Sequence, residues 1–184
     1  MKIRIIGYAG SGKTSLMKKL EDKYEIPGIS LDDFLKIKDK QKRFDRVNET
    51  ISPLPSWIVE GVQISQWTKS SFEEANLIVL LDYPLYVSQS RVAKRSMSQL
   101  LEPGKTLEQR DAIIKRMFKL FKWNRRFKER LPTVKSTLYN YPVTIMILES
   151  PEDVGRLYRF LNRNKDNIIS TKRKSYTKSV AVKD

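Results

Sequence analysis

The sequence predicts an α/β fold: a parallel sheet of about five strands with helices packed on both of its faces. Three observations predict it. Several short runs are apolar at every position, as in strands covered on both sides. These runs alternate with segments of helical periodicity. The first run passes through a glycine-rich loop straight into an amphipathic helix.

The first strand is expected over 2–8, carrying Ile3, Ile5 and Ile6, and the helix after the loop places Leu16, Met17, Leu20 and Tyr24 on one face. A second strand over 26–31 runs into Asp32 and Asp33. A third, over 56–59, follows the punctuation Pro53-Leu54-Pro55 and ends at Glu60-Gly61. The fourth, 76–81, ends at Asp82, and the fifth spans 142–148. Helices are expected in part of 34–50 and over 64–74, 85–100, 107–131 and 151–162. In an open α/β sheet, ligands sit beyond the carboxyl ends of the strands, where these acids fall.

The chain of 184 residues suits one domain, expected over 1–163, followed by a basic mobile tail over 164–184 containing Lys172-Arg173-Lys174. No apolar run approaches a bilayer span and the N-terminus does not read as a signal peptide, so a cytoplasmic protein without a membrane partner is expected. With no cysteine and no histidine, disulfides, thiol nucleophiles, imidazole bases and the usual zinc sites are excluded. Catalysis must rest on Asp, Glu, Lys, Arg or a bound metal. The formal charge of +15 implies attraction to polyanions, and it serves solubility equally well.

The loop Gly7-Tyr8-Ala9-Gly10-Ser11-Gly12-Lys13-Thr14 fills the pattern G-x-x-x-x-G-K-[ST] completely. Glycines permit positive φ and leave amides uncovered, so successive N–H groups can converge on phosphate oxygens, helped by the positive end of the following helix. Gly7, Ala9, Gly10, Ser11, Gly12, Lys13, Thr14 and Ser15 are therefore the expected nucleotide site, for ATP with Mg²⁺. Lys13 reaches the β- and γ-phosphates and the Thr14 hydroxyl ligates the metal in such loops. The expected fold is thus a P-loop NTPase fold.

Among the strand-end acids, Glu60 is favoured for the magnesium-water or base role, since Gly61 leaves room beside it. Asp32 is a further metal candidate and Asp33 a catalytic one; in a strand only one of the pair can point into the cleft. Asp82 reads more readily as a cap or turn residue. Arg91 and Arg95 share a helix face and are candidate phosphate-contacting residues, with a lid expected over about 96–110. The segment 33–55, with Arg43 and Arg46, is the expected acceptor side. Residues 105–130 hold ten Lys/Arg against three acids. Their apolar stripe (Ile113, Met117, Leu120, Phe127, Leu131) opposes a basic face that is either solvated or open to nucleic acid, with Trp123 available for stacking.

With these residues in hand, the chain resembles the adenylate-kinase-like P-loop proteins of the "DNA topology modulation protein" family. The resemblance covers about residues 1–161 and rests on GYAGSGKT, ISLDDF, WIVEG, VLLDYP followed by Arg91 and Arg95, Lys122-Trp123-Asn124-Arg125-Arg126, and IMILESPEDV. It implies a small-molecule kinase with five parallel strands, an acceptor region between the second and third, a lid after the fourth, and a preference for adenine. Adenylate kinases end the third strand in Asp-Gly, so Glu60-Gly61 is a longer acid in the matching place. The expected function is a phosphotransferase moving the γ-phosphoryl group of MgATP to a small acceptor of nucleoside or nucleotide type. A nucleic-acid-associated ATPase and a nucleotide-binding module without turnover are the alternatives.

Overall fold

The computed structural model describes residues 1–164. The basic tail expected from the sequence lies, but for Asn164, outside the described residues. The order is β1 (Lys2–Gly7), α1 (Lys13–Tyr24), β2 (Gly28–Ser30), α2 (Lys40–Ile51), β3 (Trp57–Glu60), α3 (Ser70–Glu73), β4 (Leu77–Leu81), α4 (Leu85–Leu100), α5 (Leu107–Glu129), α6 (Leu131–Tyr139), β5 (Thr144–Leu148) and α7 (Val154–Arg163). The five strands form one sheet in the order β2-β3-β1-β4-β5, with every neighbouring pair parallel. The chain thus has the five-stranded parallel sheet with flanking helices that the sequence predicts.

The apolar runs are continuous because the sheet has a core on each face. Ile3, Ile5, Ile58, Leu77, Val79 and Leu81 pack with α1 and α7 residues such as Leu16, Leu20 and Leu157. Ile6, Trp57, Val59, Ile78 and Leu80 point to the other face, against Val47, Ile51, Phe127, Leu131 and Leu138. Successive strand residues alternate between the two layers.

Several boundaries differ from the expectation. β2 is shorter than 26–31, because Leu31 leaves the sheet to open the 3-10 turn Leu31–Lys36, which carries both Asp32 and Asp33. β3 instead extends through Glu60, whose register partner is Ile5. The expected helix over 107–131 ends at Glu129, and a separate helix, α6, begins at Leu131 with Pro132 in its first turn, where a missing N–H costs nothing. The segment 64–74 divides into the 3-10 turn Gln66–Thr68 and the four-residue α3. The expected lid segment 96–110 consists of the end of α4, a turn containing Gly104 at φ 80°, and the start of α5. Thr106 caps α5 by a reciprocal capping box with Gln109. Among the described residues, no helix is long and apolar enough to cross a membrane.

Candidate functional site

β1 lies at the middle of the sheet and delivers the chain to its carboxyl edge at Gly7. The loop that follows is shaped by two left-handed glycines, Gly10 at φ 79° and Gly12 at φ 97°. Gly10 also admits no side chain: a Cβ there would meet the Ser88 carbonyl oxygen at 2.4 Å. Gly12 is the N-cap of α1 and supplies no side-chain cap. The first backbone bond of the helix runs from Leu16 N–H to the Gly12 carbonyl at 2.8 Å. The amides of Gly12, Lys13, Thr14 and Ser15 therefore open the helix ahead of its own hydrogen bonds, at the positive end of its dipole. Inside the loop the buried Ser11 Oγ has no hydrogen-bond partner. A helix that begins on an uncapped glycine beside an orphaned hydroxyl fits an anion with several oxygens.

Lys13 is half-buried and its ammonium donates one long bond, 3.3 Å, to the Tyr8 carbonyl. Burial pushes its pKa down, the charges of Glu60 and Asp32 push it up, and those of Arg4 and Arg95 lower it further. Glu60, only 2% exposed, accepts two hydrogen bonds at the same oxygen: from Thr14 Oγ1 at 3.0 Å and from Ser30 Oγ at 2.8 Å. The ends of β2 and β3 and the start of α1 thus meet on one carboxylate. Asp32 is exposed and accepts from Gln63 Nε2 at 2.8 Å. Asp33 is exposed in the same turn.

Arg91 donates to the Ser11 carbonyl at 3.1 Å and lies over the Tyr83 ring, so α4 reaches the phosphate loop directly. Arg95, one turn further on, lines a cleft between α4 and α5 together with Gln99 and Arg116. The other acids and arginines have different fates. Asp82 is held in two ion pairs, with Lys128 at 2.5 Å and Lys135 at 2.7 Å. Arg43 folds back onto the Ile37 carbonyl at 2.9 Å and stacks over Trp67, while Arg46 pairs with Glu49 on the exposed side of α2. Two loop amides expected to face phosphate are already committed. Ala9 N–H donates to Asn124 Oδ1 at 3.1 Å, and Ser11 N–H donates to the Tyr8 carbonyl at 3.1 Å.

Three residues of the site are given no role by the sequence reading. Ser30 is an ordinary strand-end serine until β2 is placed beside β3. Asn124 sits amid basic residues of α5 yet is wholly buried against the loop. Arg4, within the apolar β1 run, is also 0% exposed. Its guanidinium donates to the carbonyls of Ile5 (2.8 Å), Val59 (3.3 Å) and Gln63 (2.9 Å) and lies 4.9 Å from the Phe72 ring centroid. Burial lowers its pKa and the Glu60 charge opposes that shift. The one alerting feature was a charged residue in a strand otherwise apolar.

Among the described residues, no three His, Cys, Asp or Glu side chains cluster to hold a metal. A hard cation here would need phosphate oxygens and water in addition to Thr14 and Glu60, the way magnesium is usually held beside nucleotides.

Searches with the sequence match no protein-family model and no curated protein. The fold, by contrast, has clear relatives among solved structures. The deoxyadenosine kinase of M. mycoides with bound dATP superposes with a TM-score of 0.53 at 14% identity, over 90% of this chain and 100% of the other. The shikimate kinase of Acinetobacter baumannii in complex with shikimate gives 0.50 at 13% identity, over 89% and 94%. At such identities the likeness establishes the P-loop kinase fold alone.

Proposed function

We propose that this chain is an ATP-dependent phosphotransferase that moves the γ-phosphoryl group to a small acceptor, of nucleoside or nucleotide type. The observation that carries the reading is the single Glu60 oxygen shared by Thr14 and Ser30, set beside Lys13 at the mouth of an uncapped helix. The uncapped amides would bind the phosphates, and Lys13 would add a charge whose cost of burial is offset when an anion arrives. Thr14 and Glu60 would hold magnesium, which when bound neutralises charge on the phosphate oxygens. Arg91 would hold the loop through Ser11, and Arg95 would bring positive charge to the leaving side.

In the transfer, the bond from the γ-phosphorus to the bridging oxygen breaks and a new bond forms to the acceptor oxygen, whose proton must be taken up. Glu60 already accepts two hydrogen bonds at one oxygen; in this reading Asp33, exposed in the turn after β2, would orient the acceptor and receive that proton. The nucleoside-type acceptor is supported by the fold neighbour whose substrate is deoxyadenosine and by the family that the sequence motifs resemble.

The test is transfer of label from γ-labelled MgATP across nucleosides, nucleotides and small alcohols, with Lys13→Ala as control and DNA in a parallel series. Label on one acceptor, lost in the control, supports the phosphotransferase. Hydrolysis that needs Lys13 and rises only with DNA would replace it by the nucleic-acid-associated ATPase, for which the open cleft of Trp123, Arg126 and Arg130 is the supporting feature.

A further inference from the structure

Asn124 occupies a costly position. It lies in the interior of α5, where asparagine is a poor helix former, and it is 0% exposed. A buried amide must have its donors and acceptor satisfied. Here both hydrogen bonds go to one residue 115 positions away: Nδ2 donates to the Ala9 carbonyl at 2.9 Å and Oδ1 accepts from Ala9 N–H at 3.1 Å. The amide plane is therefore paired edge to edge with the backbone of the phosphate loop, immediately before Gly10. The neighbouring contacts hold the same joint. Phe127, one turn on, meets the Tyr8 ring edge-on at 5.8 Å and stacks on Trp123 at 5.4 Å. The Tyr8 hydroxyl donates to the Tyr83 carbonyl.

This pairing orients the loop. With both backbone groups of Ala9 engaged, its flanking peptides cannot rotate independently, and the left-handed turn at Gly10 is entered from a fixed direction. Without the pairing, the glycine-rich loop is free to sample conformations in which its amides diverge. α5 also forms one wall of the cleft that contains Arg95 and Arg116, so the same helix that carries that wall is tied to the phosphate loop.

We propose that Asn124 is a positioning residue for phosphate binding, which preorganises the loop through Ala9. The inference rests on the phosphate-binding reading of the loop. It is tested with the full chain in three variants: Asn124→Leu, which keeps the number of side-chain heavy atoms and removes both bonds; Asn124→Asp; and Leu138→Ala, a buried core change in α6, outside the loop and α5, that serves as the stability control. MgATP affinity is measured by calorimetry and backbone exchange of residues 8–15 by hydrogen–deuterium exchange, with thermal melts of each variant.

Asn124→Leu is expected to bind MgATP at least ten-fold more weakly and to exchange Ala9 faster, while Leu138→Ala, although less stable, keeps wild-type affinity. Asn124→Asp is expected to be weak at pH 8 and to recover towards wild type at pH 5, because burial at this position raises a carboxyl's pKa and the protonated form can again donate to the Ala9 carbonyl and accept from its N–H. A side chain that merely fills space gives no such recovery. Wild-type affinity in folded Asn124→Leu, or an Asn124→Asp defect equal at both pH values relative to wild type, overturns the proposal. A wild-type chain that binds no MgATP has a different signature: it removes the phosphate reading itself, and this inference with it.

Discussion

Thr14 and Ser30 donate to the same oxygen of Glu60, at 3.0 and 2.8 Å, and thereby join the start of α1 to the ends of β2 and β3. Burial lowers the pKa of the Arg4 guanidinium, and the Glu60 charge opposes that shift. The carboxylate is thus positioned by two hydroxyls from separate elements.

Glu60→Gln retains an oxygen that can accept from Thr14 and Ser30 but loses the negative charge. The expected result is a fall in turnover of about 100-fold with a higher magnesium requirement. Steady-state kinetics over a magnesium titration checks this; unchanged magnesium dependence would exclude Glu60 from the metal role.

Lys13 should make nucleotide affinity sensitive to alkaline pH. Its pKa is lowered chiefly by burial, so between that lowered value and the ordinary 10.5 the unfolded chain carries more protons. The ligand-free protein is therefore expected to gain stability from this group as pH rises through that window. A phosphate arriving beside Lys13 restores its charge, so binding there takes up a proton and weakens as pH rises. Calorimetry in buffers of different ionisation enthalpy should find proton uptake in the wild type that is absent from Lys13→Met.

Gly10→Ala combines two faults, a left-handed φ of 79° and a Cβ 2.4 Å from the Ser88 carbonyl oxygen. The backbone must shift, at an expected cost of about 2–3 kcal/mol together with lost nucleotide binding. Urea denaturation measures the first part. A variant as stable as wild type would mean that the loop and α4 do not pack as described.

Asp82→Asn should affect stability and leave binding intact, because Lys128 and Lys135 both pair with this acid. Lys128 is substantially exposed, so the loss is expected to be modest, about 1–2 kcal/mol by urea denaturation. An equal fall in MgATP affinity would instead assign Asp82 to the site.

The strands were legible because a sheet covered on both faces leaves continuous apolar runs such as Leu77–Leu81, a signal that survives without the partners. The α4 boundaries were equally legible, bracketed by Pro84 before it and the turn at Gly104 after it. The break between α5 and α6 was harder to read, since Leu131 continues the apolar stripe of α5 while Pro132 starts a new helix. Trimming of β2 depended on Leu31 turning into the core, which the β-like residues around it do not announce.

What the sequence determined by itself is the loop over 7–14, because its signal is local: glycines, a lysine and a threonine at fixed spacing between a strand and a helix. What only the tertiary structure decided is which distant groups serve it. Ser30 reaches Glu60 across 30 positions, Thr14 reaches it across 46, and Asn124 reaches Ala9 across 115. Parallel strands bring their carboxyl ends to one edge whatever lies between them, so those pairings follow from strand order β2-β3-β1-β4-β5 and helix docking, which no local pattern encodes.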